Sequence, residues 1–260
     1  MQAPISMVKE WDKTFELSQE VVHRKVNFVN RFGITLVADL YIPKNAQGKK
    51  LAAVAVSGPF GAVKEQSSGL YAHYLATQGL VALAFDPSYT GESGGFPRHS
   101  GSADIFTEDF SAAVDFLTTL PQVDAEKIGF LGIYGFGGFA LNDAALDPRV
   151  KAVATSVMYD MARAAGFGVG PGHDLLNSEQ RIKIKQHIAA SRTADAQQGK
   201  ISYSSYAYGF NDKGEVENYG NLKDVPMGAT SLDPVTQEFA DYYRNPQRGY
   251  HPRSINSNGI

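Results

Sequence analysis

The segment that decides the fold is EKIGFLGIYGFGGFALNDAAL, residues 126–146. It begins with an apolar run that predicts a buried strand, continues with a stretch dense in glycine, and ends in a pattern typical of a helix. A strand that reverses directly into a helix exposes one side chain at the bend, here Tyr134. The neighbouring positions need glycine because no other side chain fits there. The glycines are Gly132, Gly135, Gly137 and Gly138.

Two interpretations of this turn remain open. In the first, it presents position 134 to a ligand, and the amides of Gly135 and Phe136 at the start of the helix favour a developing negative charge. In the second, the glycines only allow the helix and the strand to pack closely.

Length and composition bound the class of protein. A chain of 260 residues with 43% hydrophobic and 20% charged residues is long enough for one α/β domain with a single core. The formal net charge of −3, with scattered basic residues, disfavours nucleic acid and anionic membranes as partners. The lack of cysteine excludes disulfides, thiolate metal sites and a cysteine nucleophile. With no signal-peptide pattern and no apolar stretch long enough to span a bilayer, a cytoplasmic location is predicted.

Strands alternate with helices along the first part of the chain. An opening β-hairpin is predicted over residues 21–29 and 34–42, where apolar and polar residues nearly alternate around a turn. Further strands are predicted at 51–56, 80–85, 128–133 and 150–156, and helices at 66–78, 104–119 and 138–146. This order indicates an α/β fold with a mainly parallel, doubly wound sheet.

The alternation stops at about residue 161. The rest of the chain predicts a polar helix at 178–191 and an amphipathic segment at 233–243, without further buried strands. We therefore expect a single domain over residues 1–260, with a core at about 20–160 and a helical cap and tail at about 161–260. The strand at 150–156 is then expected to leave an unpaired sheet edge through which copies of the chain associate.

Three motifs give the chain a family resemblance. They are GFLGIYGFGGFALNDAALDPRVKAVATSVMYDM (129–161), FDPSYTGESGG (85–95) and GPFGAVKEQSSGLYAHYLA (58–76). Together they resemble the dienelactone-hydrolase-like and Xaa-Pro-peptidase-like branch of the α/β-hydrolase superfamily, from about Phe28 onward. The resemblance implies an α/β-hydrolase fold and a cofactor-free hydrolase acting on ester, lactone or other acyl bonds of a small molecule, or a related acyl transferase.

The chain departs from this family at two places. The position matching Tyr134 usually carries the cysteine or serine nucleophile of a nucleophile elbow. Relatives also continue past a stretch similar to HPRSIN, residues 251–256, through two strand-bearing units that carry the triad acid and histidine. About fifty residues are therefore expected to be missing. These departures imply a catalytically impaired or atypical enzyme or, alternatively, a non-catalytic binding protein or truncated pseudoenzyme.

Three roles for Tyr134 remain open: a nucleophile, a side chain that fills a pocket or contacts a ligand, and an ordinary packed tyrosine. A phenol has a reference pKa of about 10, so about one molecule in a thousand is ionised at neutral pH, and the sequence offers no dedicated base. The phenol also extends into the space where a scissile carbonyl must sit. These arguments favour the second role.

Two loops supply further candidates. The loop after the third strand is where the resemblance places the second oxyanion-hole amide, on Phe60 or Gly61, although a plain tight turn is the alternative. Ser93 matches the formula G-x-S-x-G literally. No helix-forming run follows it, which favours a structural loop over a catalytic serine.

Candidate acids and bases are scattered along the chain. Asp160 follows the 150–156 strand, where some α/β-hydrolases keep their catalytic acid, although a helix N-cap is an equal alternative. His173 and His251 are weighed as general bases against ordinary surface residues. Lys64 and Glu65 are interpreted as a surface ion pair. No group of residues has metal-ligand spacing, so no metal site is predicted.

Overall fold

A computed structural model describes residues 5, 7–46, 48–168, 176–204, 208–218 and 254–255. His173, His251 and the predicted segment at 233–243 lie outside the described residues. The chain divides into two units, one formed by Met1–Arg98 with Asp104–Asp160 and the other by His99–Ala103 with Met161–Ile260. The expected single domain stays a prediction.

The first unit contains a sheet of six strands, which confirms the predicted α/β class. The strands are β1 (Val21–Val29), β2 (Thr35–Pro43), β3 (Leu51–Ser57), β4 (Val81–Phe85), β5 (Val123–Ile133) and β6 (Val150–Ser156). Their order is β1-β2-β4-β3-β5-β6. β1 and β2 form the opening hairpin, β2 is also antiparallel to β4, and the remaining pairs are parallel. The sheet is therefore mainly parallel, as the sequence predicts.

Helices cover both faces of this sheet. Successive strand residues point to opposite sides, so the apolar strand residues need a cover on each face. They are α1 (Ser67–Thr77), α2 (Ala103–Thr118) and α3 (Gly135–Leu146). α1 packs its alanines into a buried cluster with Val56 and Ile133. On the other face, the ring of Phe110 in α2 lies 5.1 Å from that of Phe85 and 4.9 Å from that of Phe130. The β3–α1, β4–α2 and β5–α3 connections therefore leave the carboxyl ends of neighbouring parallel strands, where open α/β sheets bind ligands.

The described residues of the second unit include two helices, α4 (Met161–Phe167) and α5 (Ser178–Gln198). α5 begins where the sequence predicts it, with a capping box between Asn177 and Gln180, and ends at Gly199 in the left-handed region. Four short strands accompany them: β7 (Tyr203–Ser204), β8 (Tyr208–Phe210), β9 (Val216–Asn218) and β10 (Ser254–Ile255). None of the helices in the described part of the chain combines the length and the apolar character needed to cross a membrane.

β6 is the last strand at one edge of the described sheet. Five of its seven residues are exposed, including Val153 at 36%. The residues that follow it, Val157 and Met158, are also exposed. A strand edge with free backbone groups and apolar neighbours is a template for pairing with another chain.

We predict that the protein associates through this edge and that Val153→Lys weakens the association, because a lysine on an edge strand opposes strand pairing. Sedimentation velocity over a range of concentrations measures the effect. The matched control is Val29→Lys on β1 at the opposite edge, where Val29 is also exposed. Equal self-association of wild type and Val153→Lys would contradict the prediction.

Candidate functional site

The turn from β5 to α3 takes a single residue. Tyr134 stands between Ile133, the last residue of β5, and Gly135, the first of α3, with φ 54° and ψ −125°. A positive φ is strained for a bulky residue, at a cost of about 1–3 kcal/mol, and such strain persists only where the surroundings impose it. We call residues 132–138 the β5–α3 turn.

Hydrogen bonds fix the backbone of Tyr134 on both sides. Its amide donates to the Ser156 carbonyl at 2.9 Å. Its carbonyl accepts from the amides of Gly137 at 3.0 Å and Tyr159 at 3.1 Å. The half-buried ring lies 4.6 Å, centroid to centroid, from the ring of Tyr159. The end of β6 and the segment after it therefore hold Tyr134 in its strained conformation.

Gly132 makes this sharp turn sterically possible. A methyl group on Gly132 would lie 2.5 Å from the carbonyl oxygen of Phe136 and 2.6 Å from the Cα of Gly137. Both are backbone atoms of the first turn of α3, so the helix could not approach the strand. The close-packing interpretation of the glycines is therefore confirmed, while presentation of position 134 to a ligand stays a prediction.

The amides of Gly135 and Phe136 lie in the first turn of α3, where helix N–H groups lack intrahelical partners. The Phe136 side chain is buried, and its ring lies 5.2 Å from the rings of both Phe106 and Phe139. A phenylalanine is therefore tolerated where the G-x-S-x-G formula has its last glycine, because its ring points into an aromatic cluster.

The loop after β3 lies directly against the β5–α3 turn. A methyl group on Gly58 would come within 2.3 Å of the Ile133 carbonyl oxygen and 2.9 Å of the Phe136 Cβ. The half-buried Phe60 ring packs 5.9 Å from Phe106, and Gly61 has a positive φ of 90°. The structure thus brings the loop with the candidate amides of Phe60 and Gly61 next to the turn with Tyr134. We call residues 58–66 the β3–α1 loop.

Asp160 and Ser93 occupy very different environments. Asp160 is exposed and immediately precedes α4, and its Cα lies 3.4 Å from where a methyl group on Gly138 would be. Ser93 is buried, and its hydroxyl donates to the Asp86 carbonyl at 2.7 Å and accepts from the Val37 amide at 2.8 Å. These contacts favour the structural interpretation of Ser93.

The interpretation of Lys64 and Glu65 as a surface pair is wrong. Lys64 is fully buried and Glu65 is 6% exposed. The Lys64 ammonium contacts Glu65, Asp86 at 2.9 Å and Glu92 at 2.7 Å. Sequence reasoning missed this because Asp86 and Glu92 lie in a different loop, which only the parallel pairing of β3 and β4 brings close. A usable signal existed: Asp86 directly follows five apolar residues, and a carboxylate at the end of a buried strand needs a cation.

The ionic cluster extends toward the N-terminal segment. Lys25 on β1 contacts Glu92 at 2.8 Å, while Lys13 contacts Asp39 of β2 at 3.1 Å. His23 lies 2.7 Å from the same Asp39 carboxylate. Despite burial, the hydrogen bond from His23 and the nearby lysines hold the pKa of Asp39 below its ordinary value. Burial lowers the pKa of the Lys13 ammonium, but the charge of Asp39 and the contact with Asp12 outweigh this effect, so that the pKa lies above its ordinary value.

Another buried carboxyl, that of Asp109 in α2, connects this helix to the loop after β4 and to the turn after β1. It accepts from the Ser88 amide at 2.7 Å and from the Asn30 side chain at 2.8 Å. Burial raises the pKa of Asp109 to about 7. Sequence analysis did not single it out, although it stands three residues after Phe106 on the buried helical stripe.

One group of carboxylates in the described residues has the spacing of a metal site. Oxygens of Glu65, Asp86 and Glu92 lie within 4.8 Å of one another. The Lys64 ammonium contacts all three carboxylates, so it already supplies the positive charge that a cation would bring. This arrangement fits an internal ion cluster better than a metal centre.

Comparison with known proteins identifies the family. The family model for X-Pro dipeptidyl-peptidase (S15 family) matches residues 33–226. The chain belongs to this family.

Similar proteins come from bacteria and fungi. The uncharacterised protein PA2218 of Pseudomonas aeruginosa is 52% identical over 253 residues, which cover 97% of this chain and 62% of that protein. The polyketide transferase claH of Penicillium crustosum is 39% identical over 131 residues, covering 50% of this chain and 42% of the relative. A thiohydrolase of Eupenicillium brefeldianum is 36% identical over 128 residues, covering 49% and 40%. The chain thus spans less than two thirds of the length of these relatives.

Solved structures confirm the α/β-hydrolase fold. The crystal structure of PA2218 from Pseudomonas aeruginosa aligns with a TM-score of 0.76 and 50% identity, covering 98% of this chain and 73% of that one. The α/β hydrolase GrgF from Penicillium sp. sh18 aligns with a TM-score of 0.64 and 21% identity, covering 90% and 70%. At that identity, the second likeness concerns the fold alone.

We predict that Gly132→Ala destabilises the protein by about 3 kcal/mol or more, because the new methyl group meets backbone atoms that cannot rotate away. The control is Gly33→Ala. There the added methyl group would meet nothing within 4 Å, and only the positive φ of 75° opposes alanine, so a loss of about 1 kcal/mol is expected. Urea denaturation measures both. Equal losses for the two variants would contradict the close approach of α3 to β5.

The pH dependence of stability offers a test of the ion cluster. Burial, followed by the charge of Asp86, raises the pKa of Glu65 from its ordinary 4.5 to about 7. The folded protein therefore holds this proton more tightly than the unfolded chain does. The Glu65 contribution to stability consequently falls as pH rises from about 4.5 to about 7.

We predict that Glu65→Gln is more stable than wild type by about 1–3 kcal/mol at about pH 8, with a much smaller gain near pH 4.5. Glutamine keeps an oxygen that accepts from Lys64 but does not titrate. Denaturant melts at the two pH values measure the difference. Glu126→Gln, at an exposed position on β5, is the control. A gain independent of pH would show that Glu65 does not titrate in this range.

Proposed function

We propose that the protein recognises the carbonyl group of a small acyl ester or thioester at the β5–α3 turn, as a catalytically impaired member of the hydrolase and acyl-transferase type. The observation that carries the proposal is the backbone of Tyr134, held at φ 54° between a buried strand and a helix N-terminus. This is the conformation that an α/β-hydrolase uses to present its nucleophile. The similarity to proteins named polyketide transferase and thiohydrolase supports acyl groups as the ligand class.

In this proposal, backbone amides from two elements face the carbonyl oxygen of the ligand. One comes from Gly135 or Phe136 at the start of α3, and the other comes from Phe60 or Gly61 in the β3–α1 loop. Such fixed donors bind a developing oxyanion more strongly than a neutral carbonyl. Asp160, beyond β6, is the candidate acid.

Tyr134 is proposed to contact the ligand rather than attack it. Its half-buried ring packs against that of Tyr159 at an interplanar angle of 51°, so the two tyrosines form an aromatic wall beside the turn. This pair favours a second candidate function, the non-catalytic binding of an acyl ligand. If wild type hydrolysed esters and Tyr134→Phe did not, the phenol oxygen would be the nucleophile. That result would contradict both the ligand-contacting role of Tyr134 and the non-catalytic binding of an acyl ligand.

We predict that Tyr134→Cys creates a thiol that is selectively acylated. Because the chain has no cysteine, the introduced thiol is unique and intact mass spectrometry reports its modification without background. Acylation by p-nitrophenyl acetate needs stabilisation of an oxyanion, whereas alkylation by iodoacetamide does not. The ratio of acylation rate to alkylation rate is expected to exceed that of an ordinary protein thiol by about tenfold or more.

The matched control is Thr118→Cys, an exposed position in the last turn of α2. There the helix dipole has the opposite sign and opposes thiolate formation. Equal ratios for the two variants would contradict the proposed site, because they would show that nothing near position 134 stabilises the acylation transition state.

A further inference from the structure

A single buried lysine joins the loops that follow β3 and β4. Lys64 is fully buried, and its ammonium lies among the carboxylates of Glu65, Asp86 and Glu92. Burying an ammonium costs several kcal/mol, and hydrophobic side chains of similar size often replace buried ion pairs without loss of stability. A need for stability alone therefore does not explain this lysine.

The contacts of Lys64 with Asp86 have a specific geometry. The backbone amide of Lys64 donates to one oxygen of the Asp86 carboxylate at 2.8 Å, and its ammonium donates to the other at 2.9 Å. The second oxygen also accepts from the Glu92 amide at 2.9 Å. Asp86 itself is fully buried at the end of β4. One residue thus grips one carboxylate with both its main chain and its side chain, and we call this contact the Lys64–Asp86 clamp.

The clamp fixes the end of the β3–α1 loop that leads into α1, and this loop carries the candidate oxyanion amides. At the end of the loop that follows β3, Gly58 lies against the Ile133 carbonyl at the β5–α3 turn. Between the two fixed ends, the Ala62 amide donates to the Pro59 carbonyl at 2.9 Å and closes a tight turn over Phe60 and Gly61. The clamp residue follows Gly61 by three positions, so movement of its backbone is transmitted directly to these amides.

We propose that Lys64 is a positioning residue, which holds the β3–α1 loop on the Asp86 carboxylate so that the amide of Phe60 or Gly61 faces the acyl carbonyl bound at the β5–α3 turn. The inference rests on the proposed function. A displacement of about 1 Å at an oxyanion donor lowers a rate by up to about a hundredfold, so a modest shift of the loop is enough to be measured.

The experiment uses the full chain carrying Tyr134→Cys, with and without Lys64→Met. Methionine has a similar length and no charge, so it removes the ammonium contacts and leaves the backbone amide of residue 64 in place. Acylation by p-nitrophenyl acetate is expected to fall by about tenfold or more, while alkylation by iodoacetamide changes by less than about threefold. A merely structural role would change both rates together, because it would alter access to the thiol.

A compensated variant keeps the test decisive if Lys64→Met leaves too much negative charge to fold. It combines Lys64→Met with Glu65→Gln and Glu92→Gln, and its parent carries only the two glutamines. The glutamines keep oxygens that accept from Lys64, so the parent is expected to retain the acylation rate. The same selective loss of acylation is expected when Lys64→Met is added to this parent.

Two results would overturn the inference. Acylation that is unchanged by Lys64→Met in either background would show that the ammonium does not position the loop, as would equal losses of acylation and alkylation. Failure of the proposed function looks different, because Tyr134→Cys alone would then show the same ratio of acylation to alkylation as Thr118→Cys. That result would overturn both the proposed function and the role of Lys64. A high ratio of acylation to alkylation that Lys64→Met leaves unchanged would overturn only the role of Lys64.

Discussion

The structure around the candidate site depends on the contact between β5 and the first turn of α3. The carbonyl of Phe136 and the Cα of Gly137 lie where any side chain on Gly132 would be. Because the helix starts this close to the strand, the single intervening residue, Tyr134, must take a positive φ. The same closeness places the amides of the first helical turn beside the ends of the parallel strands. The strain at Tyr134 and the position of the first amides of α3 beside the strand ends are therefore consequences of one steric constraint.

Buried charge and apolar packing together hold the neighbouring loops. The ends of β3 and β4 carry a buried cluster centred on Lys64, and β1 and β2 contribute Lys25 and Asp39. Removing one partner of a buried ion pair costs about 3–5 kcal/mol, because the other charge is left buried and uncompensated. The cluster therefore resists separation of the β3–α1 loop from the loop after β4, in addition to the packing of Phe60 on Phe106.

Much of the fold was predictable from the sequence because buried strands leave short apolar runs. The hairpin, β6 and the start of α5 were predicted to within a residue. β5 begins at Val123, earlier than the predicted residue 128, since Val123 pairs with Leu51 but the DAEK stretch after it interrupts the apolar run that marks a buried strand. The turn at Tyr134 was visible in its glycines. The Lys64 cluster was not, because adjacent opposite charges usually indicate a solvated surface and only tertiary pairing brings Asp86 to them.

The strained backbone at Tyr134 also bears on why a phenol occupies this position. A tyrosine gains nothing intrinsically from a positive φ, and glycine would remove a cost of about 1–3 kcal/mol. The strain is retained because Ser156 and Tyr159 hold the backbone and the ring of Tyr159 packs on that of Tyr134. These contacts come from the end of β6 and from the segment after it, and β6 pairs with β5 through residues other than Tyr134. The strained backbone therefore does not depend on which side chain stands at position 134, and under the proposed function the aromatic ring there would contact an acyl ligand rather than attack it.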